Sequence, residues 1–358
     1  MQAVVHRTGW LVPVILVLGA LGLGASYGVA ARSYPRIATT PTSFAQVSSA
    51  ITPMSIAVVG PEIDPAKVQG ADACGDCHKP EMDAWEQSTH FATWNMHRTD
   101  KAKAIRDALD LKGRIRVIDL CSTCHYTSQI VRDRRKSITG VSCESCHGPG
   151  KDWTGPELHH GKPKDDQTPE QREAILKACE EAGMLRPKNI YLVATNCYSC
   201  HTVPNEKLVN VGGHPAGSNF ELVSWSQGEV RHSFQYSPDQ KNREASAERK
   251  RVLYVVGALT DYEYSLRALS RAKTPGGKYA KAMEERVARA RERLEKIRAA
   301  LAIDEVRQAL TPDADNVSAA AKAFVNNHDG SDLAALDSLI PGSDQYTGSD
   351  QYKGEVQP

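Results

Sequence analysis

The chain is poor in aromatic side chains. Phe, Trp and Tyr make up 6% of its 358 residues, and hydrophobic residues of all kinds 41%. That is thin material for the core of one large domain or two smaller ones, the alternatives this length allows. Neither sign of charge is in excess, with 44 Lys and Arg against 43 Asp and Glu. Bulk electrostatics therefore predict neither a nucleic-acid partner nor an anionic membrane partner. A disulfide framework is missing too: eight of the nine cysteines fall into one recurring pattern, and only Cys179 is left over. Cys179 shares an apolar helix face with Ala174, Ile175, Ala178 and Ala182, which reads as a buried, inert thiol.

The recurring pattern is Cys-x-x-Cys-His. It occurs at Cys74, Cys77 and His78, at Cys121, Cys124 and His125, at Cys143, Cys146 and His147, and at Cys197, Cys200 and His201. This is the attachment signature of c-type haem, in which two thiols bond one porphyrin and the next imidazole reaches its iron. One such pentapeptide arises by chance in roughly 1 in 100 chains of this length, so four together are not accidental. Zinc is the competing reading, because Cys121-x2-Cys124 and Cys143-x2-Cys146 have the separation of a four-cysteine site. A zinc ribbon gives no reason for a His after every second Cys. Four covalently bound haem c groups are expected, and their apolar faces supply core surface that the sequence lacks.

The second axial position of each iron decides function: a His there closes the iron and leaves electron transfer, whereas an open position binds a small molecule. Outside the motifs, and away from the N-terminal segment and the C-terminal end, stand His90, His97, His159, His160, His214 and His232. His90, one of His159 and His160, His214 and His232 are the leading candidates. His97 also reads as a charge near a helix C-terminus, beside Arg98. Met82, Met96 and Met184 are weaker alternatives.

Along the chain, residues 1–31 read as an export signal or a retained anchor. His6 and Arg7 precede an apolar run from Leu11 to Gly24, and the uncharged stretch from Thr8 to Ala31 is long enough to span a bilayer. Either way the haem region lies outside the cytoplasm, in the periplasm or facing it. Residues 32–70 are rich in Ser, Thr, Ala and Pro and read as a linker. The tetrahaem domain is placed at 71–240. Pro80 opens a helix there, the run from Glu81 to Arg98 continues it, and Gly113 to Ile118 suggests a short strand. From about Arg243 an apolar stripe of Val252, Val255, Val256 and Leu259 marks a long helix. Pro275-Gly276-Gly277 breaks it, and a charged helix resumes at Lys278. The segment 241–310 thus reads as a helical hairpin for packing or homo-oligomer contact. A weak helix is expected at Val317 to Asn327 within a weakly structured tail, 311–358.

The stretch Thr139-Gly140-Val141-Ser142-Cys143-Glu144-Ser145-Cys146-His147-Gly148-Pro149-Gly150 closely resembles the third haem site of the tetrahaem cytochrome c-554 family. The first site is similar as well, with Trp85 and then His90 twelve residues after His78. The best-known member of that family carries electrons away from hydroxylamine oxidoreductase. The resemblance implies that His90 serves the third iron, His159 or His160 the first, and His214 or His232 the fourth. It also implies a five-coordinate second haem. It further implies a mainly α-helical fold, with extensive irregular chain wrapped around closely packed haems.

The leading expectation is a periplasmic tetrahaem cytochrome relaying single electrons between a redox donor and a redox acceptor. Two alternatives stand beside it. One is a haem enzyme with an open iron at His125, acting on a nitrogen oxide or a hydroxylamine-type substrate. The other is a subunit of a multihaem wire or membrane redox complex.

Overall fold

The computed structural model describes residues 63–347, apart from 160, 162–165 and 238, and only the backbone of Tyr236. The expected signal or anchor at 1–31, most of the linker and the end of the tail lie outside the described residues. Among those described, no helix is long and apolar enough to cross a membrane.

The described chain is mainly helical. In order it forms α1 (Ala71–Gly75), α2 (Lys79–Glu86), α3 (Thr89–Ala92), α4 (Asp100–Ala108), α5 (Asp119–His125), β1 (Thr127–Val131), β2 (Arg134–Thr139) and α6 (Cys143–His147). Then follow α7 (Pro169–Glu181), α8 (Ile190–His201), α9 (Glu206–Asn210), α10 (Leu222–Ser226), α11 (Ala247–Ser270), α12 (Lys278–Ala300), α13 (Asp304–Ala309) and α14 (Ala314–Asn327). Through the motif region the helices are short and joined by 3-10 turns and irregular chain.

Two local expectations are corrected. The run from Glu81 to Arg98 is not one helix but α2, α3 and a 3-10 segment, Thr93–Arg98. The break is stabilised at Ser88, whose Oγ accepts the Phe91 N–H, and by Glu229, whose Oε1 accepts the Thr89 N–H at 2.7 Å. Both supply acceptors for the backbone N–H groups that a restarting helix leaves open. His90 and His97 therefore do not share one helix face. Residues from Gly113 to Ile118 form a 3-10 turn, Ile115–Val117, instead of a strand. The strands lie further on, where β1 and β2 pair antiparallel with Ile130 opposite Arg135.

The largest core surrounds α11, which is buried on nearly every side from Arg251 to Leu269. A helix apolar on all faces must be enclosed by other elements. Here α8, α12, α14 and the 3-10 segment Ser331–Leu339 enclose it. Tyr279 donates to the Ala268 carbonyl, joining α12 to α11, while Tyr191 of α8 bonds Glu263 and Ser318. The helix that ends in the fourth Cys-x-x-Cys-His motif is thus part of this core. The expected weakly structured tail is corrected as far as Thr347. In α14, Val317, Ala320, Ala321 and Phe324 have no exposed surface, and Leu333 and Leu336 are equally buried. Their spacing is that of one helical stripe, and Asp313 caps the helix through two backbone N–H groups. Phe324→Ala is expected to cost about 3–5 kcal/mol, read as a fall in the denaturant midpoint at unchanged slope.

Candidate haem sites

Each motif is wound as about one helical turn. Motif two closes α5, motif three is the whole of α6, and motif four closes α8. In the first, the His78 and Cys77 N–H groups both bond the Cys74 carbonyl. Such a turn brings the first Cys, the second Cys and the His to one side, since positions three and four apart are neighbours on a helix. None of these cysteines is in a disulfide.

The motifs then meet in pairs. The Cys74 and Cys143 thiols lie close enough to interact, bringing the first motif against the third. The Cys124 and Cys200 thiols do the same for the second and fourth. Cys146 lies close enough to Cys197 and Cys200 to interact electrostatically, so the two pairs adjoin through motifs three and four.

Every motif His faces one further His. His78 faces His159 with ring centroids 5.8 Å apart, and His125 faces His214 at 6.2 Å. His147 faces His232 at 6.0 Å, and His201 faces His90 at 6.2 Å. Two metal–nitrogen bonds of about 2 Å, together with the half-widths of two imidazoles, place ring centroids roughly 6 Å apart. The gaps therefore fit one iron each.

Ring orientation agrees with that fit. Nδ1 of His147 is 2.9 Å from the Leu185 carbonyl, Nδ1 of His214 2.8 Å from that of Pro215, and Nδ1 of His232 2.6 Å from that of Val230. A carbonyl only accepts, so each Nδ1 carries the proton and each Nε2 presents its lone pair. Nδ1 of His201 is held by the Ser218 hydroxyl at 2.9 Å. Burial, reinforced by neighbouring imidazoles, holds His125, His147 and His201 down at about 4, so they are neutral near pH 7. Neutral imidazole is the form a metal takes. Among the described residues no group of three or more His, Cys, Asp or Glu side chains is placed to hold one metal ion.

The pairing differs from the one the resemblance implies. His90 meets the fourth motif and not the third. Its carbonyl accepts the Val141 N–H just before the third motif, but its ring lies against His201. His214 and His232 consequently face the second and third motifs, and His125, implied to have an open side, has His214 opposite it. His159 does lie at the first motif, in edge contact with Trp153. His160 lies outside the described residues. His97 faces no motif His; its Nδ1 turns back to the Trp94 carbonyl. Cys179 is fully buried, with its thiol towards the Trp153 carbonyl.

Two site residues went unnoticed in the sequence. Glu229 holds the start of α3, and hence His90, from 140 residues away. Glu144, between the two cysteines of the third motif, is 1% exposed and accepts the backbone N–H groups of Gln69, Gly70 and Gly150. It ties the chain entering the first motif to the third. No sequence signal marks a Glu at that position as buried.

The sequence profile of the family "Cytochrome c554 and c-prime" matches residues 73–148. Cytochrome c-554 of Nitrosomonas europaea is 29% identical over 108 residues, a match covering 27% of this chain and 45% of that protein. The chain thus spans less than half the length of this curated relative. No solved structure matches. Over the segment that carries its first three motifs, 73–148, this chain is similar to the cytochrome c-554 family of c-type cytochromes.

Proposed function

We propose that the protein is an electron-transfer cytochrome that holds four covalently attached haem c groups and passes single electrons between redox proteins. The observation that carries this reading is the set of four facing His pairs at one-iron spacing. In the proposal, Cys74 and Cys77, Cys121 and Cys124, Cys143 and Cys146, and Cys197 and Cys200 bond the porphyrins. His78, His125, His147 and His201 ligate from one side, and His159, His214, His232 and His90 from the other. The haems supply reversible one-electron chemistry.

The chain's own residues fix the geometry and keep substrate away. Carbonyls and a hydroxyl on Nδ1 orient His147, His214, His232 and His201, which would hold the second, third and fourth irons in one coordination state. Thiol contacts between motifs one and three and between two and four support close haem pairs, joined through motifs three and four. A closed iron has no site for a nitrogen oxide or hydroxylamine, so the enzyme reading loses its basis at His125. The reading includes a location outside the cytoplasm, in the periplasm, where c-type haem is attached in bacteria. Its donor and acceptor are redox proteins, and the enclosure of α11 from Arg251 to Leu269 favours packing over homo-oligomer contact as the role of the α11–α12 pair.

Haem stoichiometry tests the reading. Intact mass and a pyridine haemochrome assay are expected to give four haems per chain, all reducible and reoxidisable. A chain with fewer than four covalent haems contradicts it.

A further inference from the structure

The whole chain is nearly neutral at +1, yet residues 114–136 are strongly basic. Arg114, Arg116, Arg132, Arg134, Arg135 and Lys136 oppose only Asp119 and Asp133, and six cations less two carboxylates leave +4. This stretch encloses the second Cys-x-x-Cys-His motif. The β1–β2 hairpin folds back along the chain that leads into that motif: the Ser137 hydroxyl donates to the Arg116 carbonyl, and Arg135 bonds Asp119. Arg132 to Lys136 are all exposed. Arg116 lies 4.2 Å over the Trp94 ring, which contacts Tyr126, the residue after His125. Val117 and Ile130, 38% and 39% exposed, are two of the five exposed large apolar side chains among the described residues. Ile130 pairs directly with Arg135.

Exposed cations on both faces of the hairpin, with Val117 and Ile130 exposed among them and the second motif adjoining in the chain, form a small basic docking surface. Long-range attraction speeds encounter with a partner of opposite charge, and a small contact lets it leave again. We propose that this face docks an acidic one-electron redox protein, with exchange through the second haem site; the proposal rests on the electron-carrier reading above. In the exchange one electron leaves the reduced metal centre of the partner and converts one ferric haem to ferrous. No bond forms and no proton moves.

The test is stopped-flow reduction of the oxidised full-length protein by reduced plant-type ferredoxin, an acidic iron–sulfur donor, as ionic strength is varied. The patch variant is Arg132→Glu/Arg134→Glu/Lys136→Glu, which keeps the Arg135–Asp119 contact. A control variant of identical net charge is Lys278→Glu/Lys281→Glu/Arg289→Glu, at exposed positions on α12. At low salt the patch variant is expected to react about tenfold or more slowly than wild type, and the control within about threefold of it. At about 0.5 M salt the three rates should converge. Equal slowing of both variants, or no slowing, overturns the proposal. So does patch-dependent binding to phosphatidylserine vesicles with unchanged ferredoxin rates, which assigns the face to a membrane surface. Each preparation is first assayed for haem, so a chain lacking four haems counts against the carrier reading and not against the docking face.

Discussion

Glu144→Ala is expected to destabilise the protein by about 3 kcal/mol, since it strands two buried donors and a half-buried one and removes a carboxylate that accepts from all three. Oε1 accepts the Gln69 N–H at 2.8 Å and the Gly150 N–H at 2.7 Å, while Oε2 accepts the Gly70 N–H at 2.7 Å. Space for the carboxylate depends on Gly150, where a Cβ would stand 3.1 Å from Oε1. The three contacts bring the chain ahead of Cys74 onto the third motif, where the Cys74 and Cys143 thiols meet. Loss of the clamp should therefore reduce haem occupancy at the first and third motifs before the second and fourth. Glu144→Gln keeps the shape but turns an NH2 group towards a backbone donor, so it should fall between wild type and Ala. Denaturant unfolding followed by far-UV circular dichroism, with peptide mapping of haem, reads both effects. An Ala variant with unchanged midpoint and four haems would show that the clamp does nothing.

The second large effect is expected from His214→Ala. His214 faces His125 at 6.2 Å and owes its orientation to the Pro215 carbonyl, so truncation empties one side of one candidate iron and disturbs little else. One haem in four should turn high-spin and bind carbon monoxide when reduced, while the other three keep their spectra. His97→Ala is the matched control, because that ring faces no motif His and should change no axial ligand. Optical spectra of the reduced variants with and without the gas decide it. Gas binding that is the same in wild type and His214→Ala would remove His214 from the second site.

The motifs were legible because haem attachment needs its residues within five consecutive positions. The candidate His set was legible too, by elimination, but its pairing was not. Which ring meets which motif depends on contacts across more than a hundred residues, as between His90 and His201. The same holds for the break before α3, which answers to Glu229. The β1–β2 hairpin was hidden for a local reason. Its turn residues Arg132 and Asp133 both adopt left-handed φ, 51° and 57°, without the Gly or Asn that normally signals such a turn. In α14 the stripe of Val317, Ala320, Ala321 and Phe324 was present in the sequence. It looked weak because three of its neighbours are small or polar, and only burial against α11 gives it force.

The account turns on whether all four irons are closed, and electron paramagnetic resonance of the oxidised wild-type protein, repeated on the reduced protein under nitric oxide, measures this most directly. Four low-spin ferric centres and no nitrosyl signal are the expected result. The near-perpendicular His147–His232 pair, with ring planes at 84°, should give the most anisotropic line and the near-parallel His78–His159 pair, at 21°, a less anisotropic one. A high-spin ferric signal, or a nitrosyl adduct at any one haem, would contradict the four closed sites and return the open-iron enzyme to first place.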